Sequence, residues 1–125
     1  MKVKEIMKRA IVVDRNVRVK EAAKIMSEKG IGSLIVSKGK KIVGIVTEKD
    51  IIRNVDKLNK KISDIMSKDV ITIDQEGGID DAASLMAKHK IKRLPVLEDG
   101  KLVGIITATD LIANSDELNE EFFFD

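Results

Sequence analysis

The stretch Gly44-Ile45-Val46-Thr47-Glu48-Lys49-Asp50-Ile51-Ile52 decides how this chain is read, because it returns as Gly104-Ile105-Ile106-Thr107-Ala108-Thr109-Asp110-Leu111-Ile112. The offset is 60 residues, and 22–52 against 82–112 gives 13 identities in 31 positions. Ala22, Ala23 and Met26 return at Ala82, Ala83 and Met86. Ile31, Leu34, Val36 and Lys41 return at Ile91, Leu94, Val96 and Lys101. Ile6-Met7 matches Ile65-Met66 at an offset of 59, so one residue has slipped in the intervening link. Two copies make a pseudo-symmetric pair, not a solenoid.

Working outward from the repeated stretch, each copy reads alike. A short apolar run at 10–13, and again at 70–73, predicts a strand. An amphipathic helix follows, with Val19, Ala22, Ala23 and Met26 on one face of the first and Ile79, Ala82, Ala83 and Met86 on one face of the second. Two strands come next, at 34–37 with 42–46 and at 94–97 with 102–106. The turns between them, Lys38-Gly39-Lys40 and Glu98-Asp99-Gly100, are hairpin chemistry. A last helix starts near Glu48 or Ala108. The fold class is α+β, a β-α-β-β-α order written twice, with helices expected over sheets whose strands are apolar on both faces. The domain boundaries read as 1–61 for the first copy with its polar link 53–61, 62–112 for the second, and 113–125 for an acidic tail. Flexibility is the expectation for the tail; the alternative is that Phe122-Phe123-Phe124 docks on a partner.

Composition excludes several function classes. The 125 residues suit one compact unit. No cysteine is present, which rules out disulfides, thiolate zinc sites and cysteine nucleophiles, and a reducing cytoplasm is the expected compartment. The first residues carry no apolar run of signal-peptide length, and no apolar run in the chain is long enough to span a membrane. The lone His89 has neither a second histidine nor a cysteine to share a metal, so no metal site is expected. Ser33, Ser63 and Ser84 lack a recognisable His–Asp partnership. No phosphate-cradling Gly-x-x-x-x-Gly-Lys loop and no Gly-x-Gly-x-x-Gly run occurs. The chain therefore reads as a binding module, not an enzyme, with no catalytic cofactor. Met26 and Met86, on the apolar helix faces, read as core or interface filler.

The repeated junction carries the chemistry. A strand ends, a threonine follows, and a carboxylate stands three residues on. That is a capping box, in which Thr accepts from an N3 amide and Asp reaches back to the N-cap amide. The same geometry serves a ligand: a helix start presents free N–H groups to a phosphate, and a carboxylate accepts side by side from the vicinal hydroxyls of a ribose. The glycine lets another group approach the strand backbone. On the residues alone both readings stand.

The Gly-hydrophobic-x-hydrophobic-Thr-x-x-Asp segments resemble the signature of CBS domains. Ile91-Lys92-Arg93-Leu94-Pro95-Val96 is similar to the second-strand signature of that family, and Lys4-Glu5-Ile6-Met7 with Ser63-Asp64-Ile65-Met66 resembles its lead-in. The resemblance covers 3–112. It implies a tandem pair, the Bateman module, with two ligand clefts in which the Thr-x-x-Asp of one copy works with the first strand of the other. Carried over, one cleft takes Thr107, Thr109 and Asp110 with backbone near Ile11, Val12 and Ile31, and Lys92 and Arg93 as phosphate-binding cations. The other takes Thr47, Lys49 and Asp50 with backbone near Val70, Ile71 and Ile91. Asp110 and Asp50 would hold the ribose. Copy one has Gly32-Ser33 where copy two has Lys92-Arg93, and neither glycine nor serine replaces the charge, so the Asp110 cleft is expected to be the better nucleotide site. AMP is the simplest ligand, with ADP, ATP, S-adenosylmethionine and NAD also within the family's range. The resemblance further implies a free-standing regulatory pair, a homodimer, and a protein partner regulated in trans.

Two other classes compete. Residues 1–61 carry 17 Lys/Arg against 7 Asp/Glu, a balance of +10, while 62–125 carry 6 against 14, a balance of −8. Lys2, Lys4, Lys8, Arg9, Arg15, Arg18, Lys20 and Lys24 suit a nucleic-acid backbone. Against this, no aromatic lies among them to stack a base. The other rival is a structural dimerisation module with empty clefts. The opposite signs of the two halves favour a head-to-tail dimer.

Overall fold

A computed structural model describes residues 1–114 of the chain. The acidic tail beyond Asn114, with Phe122–Phe124, lies outside the described residues. The chain divides into two compact units: Ile11–Val70, and Met1–Ala10 together with the chain from Ile71 on.

In the first unit the run 33–36 is buried throughout, and the burial explains why these residues form a central strand. The unit contains β1 (Val12–Asp14), α1 (Val19–Lys29), β2 (Ser33–Lys38), β3 (Lys41–Thr47) and α2 (Glu48–Arg53). β1 pairs parallel to β2, with Val13 opposite Val36, and β2 pairs antiparallel to β3, with Ile35 opposite Ile45. The parallel pair requires a crossover, and α1 supplies it. Val19, Ala22 and Met26 pack that helix on Val13, Leu34, Val36, Val46 and Ile62. Gly30 ends α1 in a left-handed conformation at φ 62°, and its N–H reaches the carbonyls of Met26 and Ser27.

The second unit repeats the pattern with β4 (Ile73–Asp74), α3 (Ile79–His89), β5 (Arg93–Glu98), β6 (Lys101–Thr107) and α4 (Ala108–Ala113). Its core gathers Ile73, Ile79, Ala82, Met86, Leu94, Val96, Ile106 and Leu111 around Val3. The β5–β6 turn places Asp99 at φ 50° and Gly100 at φ 78°, as a type I′ hairpin demands.

Both first strands begin later than the apolar runs suggest. Each ends at an aspartate that turns the chain: Asp14 Oδ2 accepts from the Asn16 N–H and Asp74 Oδ2 from the Glu76 N–H, both at 2.9 Å.

The lead-ins exchange places. The first lead-in forms a 3-10 turn, Val3–Glu5, and packs in the unit of the second copy. Val3 N–H donates to Gly77 O at 2.8 Å, and Lys8 exchanges two backbone bonds with Ile105 at 2.9 and 2.8 Å. The second lead-in, with its turn Ile62–Asp64, packs in the unit of the first copy, where Ser67 exchanges the same two bonds with Ile45. Each lead-in thus covers an outer sheet edge that would otherwise present unpaired backbone groups. The link is held too: Lys20 N–H donates to Leu58 O, Val19 N–H to Lys60 O, and Arg18 reaches Asn59 O.

Candidate functional site at the strand–helix junctions

β3 delivers Thr47 to the start of α2, and β6 delivers Thr107 to the start of α4. In both, the extended Thr backbone turns into a six-residue helix closed by the aspartate three residues on. Asp110 Oδ2 accepts from the Thr107 N–H at 2.9 Å and from its hydroxyl at 3.0 Å. The Asp110 N–H lies 3.2 Å from Thr107 Oγ1. Asp50 Oδ2 accepts from the Thr47 N–H at 2.9 Å and its hydroxyl at 3.3 Å. The capping box therefore exists in both copies, and it occupies one carboxylate oxygen of each. The other oxygen lies outside the cap, so capping and ligand binding are compatible uses of one side chain. Asn54 and Asn114 bond the carbonyls of Asp50 and Asp110 at 2.7 and 2.8 Å and tie down the far end of each helix.

The residues around the two carboxylates differ. In the second unit Arg93 stands opposite Thr107 in the β5–β6 register, and the Ala108 N–H donates to Lys92 O at 2.8 Å. Lys92 is exposed and Arg93 half-buried. Both cations thus flank the Thr107–Asp110 junction. In the first unit the same positions hold Ser33, opposite Thr47, and Gly32, whose carbonyl accepts from Glu48 N–H. Asp110 is 3% exposed, and its Oδ1 lies 3.1 Å from the Lys8 ammonium. Asp50 is only partly buried, and no cation pairs with it among the described residues.

Of the remaining candidates, Thr109 and Lys49 are exposed on the first turns of their helices. Ile71 and Ile91 belong to the unit of Asp110, while Ile11, Val12, Ile31 and Val70 belong to that of Asp50. Ile31 lines an apolar groove between α1 and α2 with Ala23, Met26, Gly30, Ile51 and Ile52.

Three findings go beyond the sequence reading. The group that approaches Gly104 is the lead-in: a side-chain carbon there would lie 2.8 Å from Lys8 O and 2.9 Å from Met7 Sδ. At Gly44 the crowding comes from Met66 and Ser67 O. Chain packing accounts for both glycines without a ligand. The Lys8–Asp110 pair is the second finding, and no sequence pattern signals it because its partners lie at opposite ends of the described chain. The third concerns the basic N-terminal stretch, which is divided: Lys2, Lys4, Lys8 and Arg9 belong to one unit, and Arg15, Arg18, Lys20 and Lys24 to the other. Lys2 and Lys4 are also engaged by Glu76, at 2.6 and 2.8 Å.

Comparison with known proteins agrees with this architecture. The CBS domain profile matches residues 3–57 and 62–117. An uncharacterized protein of Methanocaldococcus jannaschii, MJ1232, is 37% identical over 107 residues, covering 85% of this chain and 36% of its own length. An inosine-5'-monophosphate dehydrogenase of Korarchaeum cryptofilum is 40% identical over 107 residues, which amount to only 22% of that enzyme. The chain thus spans about a third or less of these relatives. Among solved structures, the CBS domain pair of protein MJ0100, in complex with 5'-methylthioadenosine and S-adenosyl-L-methionine, superposes with a TM-score of 0.84 at 34% identity, covering 91% of this chain and 98% of that one. With two matched copies, each folded as β-α-β-β-α, the chain belongs to the CBS-domain family.

Proposed function

We propose that this CBS pair is a non-catalytic sensor of an adenosine-containing ligand, with a phosphorylated one, AMP in the simplest case, preferred at the Asp110 junction. One observation carries the reading: a buried carboxylate with one oxygen outside its cap stands beside Lys92 and Arg93 in the same unit. Asp110 accepts from ribose hydroxyls, and the two cations receive the phosphate. The Asp50 junction offers the same carboxylate without those cations and takes the weaker or less charged ligand. That the CBS pair of protein MJ0100 was solved with two adenosyl compounds supports the ligand class. Binding then shifts the population of conformers that a partner reads. A second copy of the chain is the expected dimer partner.

Mass spectrometry of ligands released from purified protein, followed by calorimetry with AMP, ADP, ATP and S-adenosylmethionine, tests the reading. Asp110→Ala is expected to weaken AMP binding about a hundredfold, the equivalent of one strong hydrogen bond to a charged group. Asp50→Ala is expected to weaken it far less. Absence of binding by all four ligands defeats the proposal, and equal losses from the two substitutions defeat the asymmetry.

A further inference from the structure

We infer that Lys8 is a specificity-determining residue of the Asp110 junction, favouring ligands that carry an anionic group over uncharged nucleosides. The inference rests on the reading of Asp110 as a hydroxyl-gripping carboxylate and names the residue that selects among its ligands. The Thr107 cap takes Asp110 Oδ2, and the Lys8 ammonium lies 3.1 Å from Oδ1. The oxygen a sugar hydroxyl needs is therefore already paired. The two partners are unlike: the Asp110 side chain is 3% exposed and that of Lys8 71%. The Lys8 backbone is anchored by the paired bonds to Ile105, independently of its side chain, so its ammonium can leave Asp110 without disturbing the sheet edge.

A ligand whose hydroxyls take Oδ1 displaces that ammonium. An uncharged nucleoside replaces a charged donor with neutral ones and leaves Lys8 unpartnered. A phosphorylated nucleoside gives Lys8 a new anion and loses little. The exchange thus penalises one ligand class and spares the other. Copy one lacks the device, because Ser67 makes the same two backbone bonds to Ile45 but carries no cation. The asymmetry of Lys92-Arg93 over Gly32-Ser33 is thereby joined by a second one of the same sign, contributed by a different segment of the chain.

The test exchanges the two lead-in residues and compares AMP with adenosine by calorimetry. Lys8→Ser is expected to lower the AMP-to-adenosine affinity ratio about fivefold, the most one exposed ion pair supplies, with adenosine binding more tightly than before. The salt dependence of AMP binding should shrink with it. Ser67→Lys, read in an Asp110→Ala background, is expected to raise the ratio at the Asp50 junction. If Lys8→Ser perturbs folding, Lys8→Gln keeps the stem and a neutral donor, and should lower the ratio in the same direction. A ratio that is unchanged or higher in both Lys8 variants overturns the inference, even while Asp110→Ala weakens AMP binding as expected. If instead Asp110→Ala leaves both ligands bound as before, the parent reading fails whatever Lys8 does.

Discussion

At the residue scale, the two glycines of the repeated motif show how one residue type invites a functional and a structural explanation at once. Gly104 lies on β6 directly under the first lead-in, where Lys8 O would meet an added side-chain carbon at 2.8 Å. That carbonyl accepts from the Ile105 N–H while the Lys8 N–H donates to Ile105 O, so the pinned backbone has little room to retreat. Gly104→Ala should therefore destabilise the protein by about 2 kcal/mol, an ordinary cost of overpacking. Chemical denaturation measures this, and a variant as stable as the parent contradicts the account. Thr107 and Asp110 pose the same choice, but there the two explanations are compatible. Their cap occupies Oδ2 of Asp110, and Oδ1 lies outside it beside the Lys8 ammonium, so folding accounts for the repeated motif and the proposed recognition would use the oxygen the cap does not.

At the scale of elements, the exchanged lead-ins change what a mutation does. Val3 precedes the first copy in the chain yet is fully buried in the core of the second, against residues such as Ile79 and Leu94. Val3→Ala should cost about 2 kcal/mol, for two lost methyl groups and the cavity they leave. Hydrogen exchange should quicken mainly in 71–114, and faster exchange confined to 11–70 would refute the assignment. The same lead-in is clamped at its surface. Hydrogen bonds from Lys2 and then Lys4 hold the Glu76 carboxyl down to about 2 from its ordinary 4.5, and Glu76 in turn raises the pKa of Lys4. A carboxylate depressed in the folded state contributes stability that is complete above its unfolded pKa and is lost as pH falls towards the folded one. The Glu76 contribution should thus be present above pH 4.5 and disappear between 4.5 and 2. Acid titration of thermal stability tests this: Glu76→Gln should flatten the profile in that window, and an unaltered profile argues against the clamp.

At the scale of the whole molecule, the exchange redistributes charge. Counted by spatial unit among the described residues, Ile11–Val70 holds 14 basic and 8 acidic residues, a balance of +6, and the other unit holds 9 and 8, a balance of +1. The halves read from the linear sequence, +10 and −8, overstate the contrast because the basic lead-in belongs with the acidic copy. The described units therefore do not oppose in sign, and their charge does not carry the expectation of a head-to-tail dimer. Ile52 and Ile112 are equivalent in the two copies and stand 69% and 58% exposed on α2 and α4. A second copy of the chain offers the matching apolar residue for each. Light scattering should give twice the chain mass for the parent and a monomer for the Ile52→Asp, Ile112→Asp double variant. A parent that is already monomeric ends the dimer proposal. No helix among the described residues is long and apolar enough to cross a membrane.

What the linear order of residues determined by itself was the repeated unit: its β-α-β-β-α sequence, its hairpins, its apolar helix faces and its Thr-x-x-Asp junctions. All of these follow from local periodicity and from short-range hydrogen bonding, which operate within a few residues of one another. Lys92 and Arg93 were singled out through the family resemblance, and the structure places them at the start of the strand that pairs with the junction. Only the tertiary structure decided that each lead-in joins the other copy's core, that Gly104 makes room for Lys8, and that Lys8 pairs with Asp110. Those contacts join residues far apart in the chain, and burial and edge pairing choose such partners by fit in space, which no local pattern records.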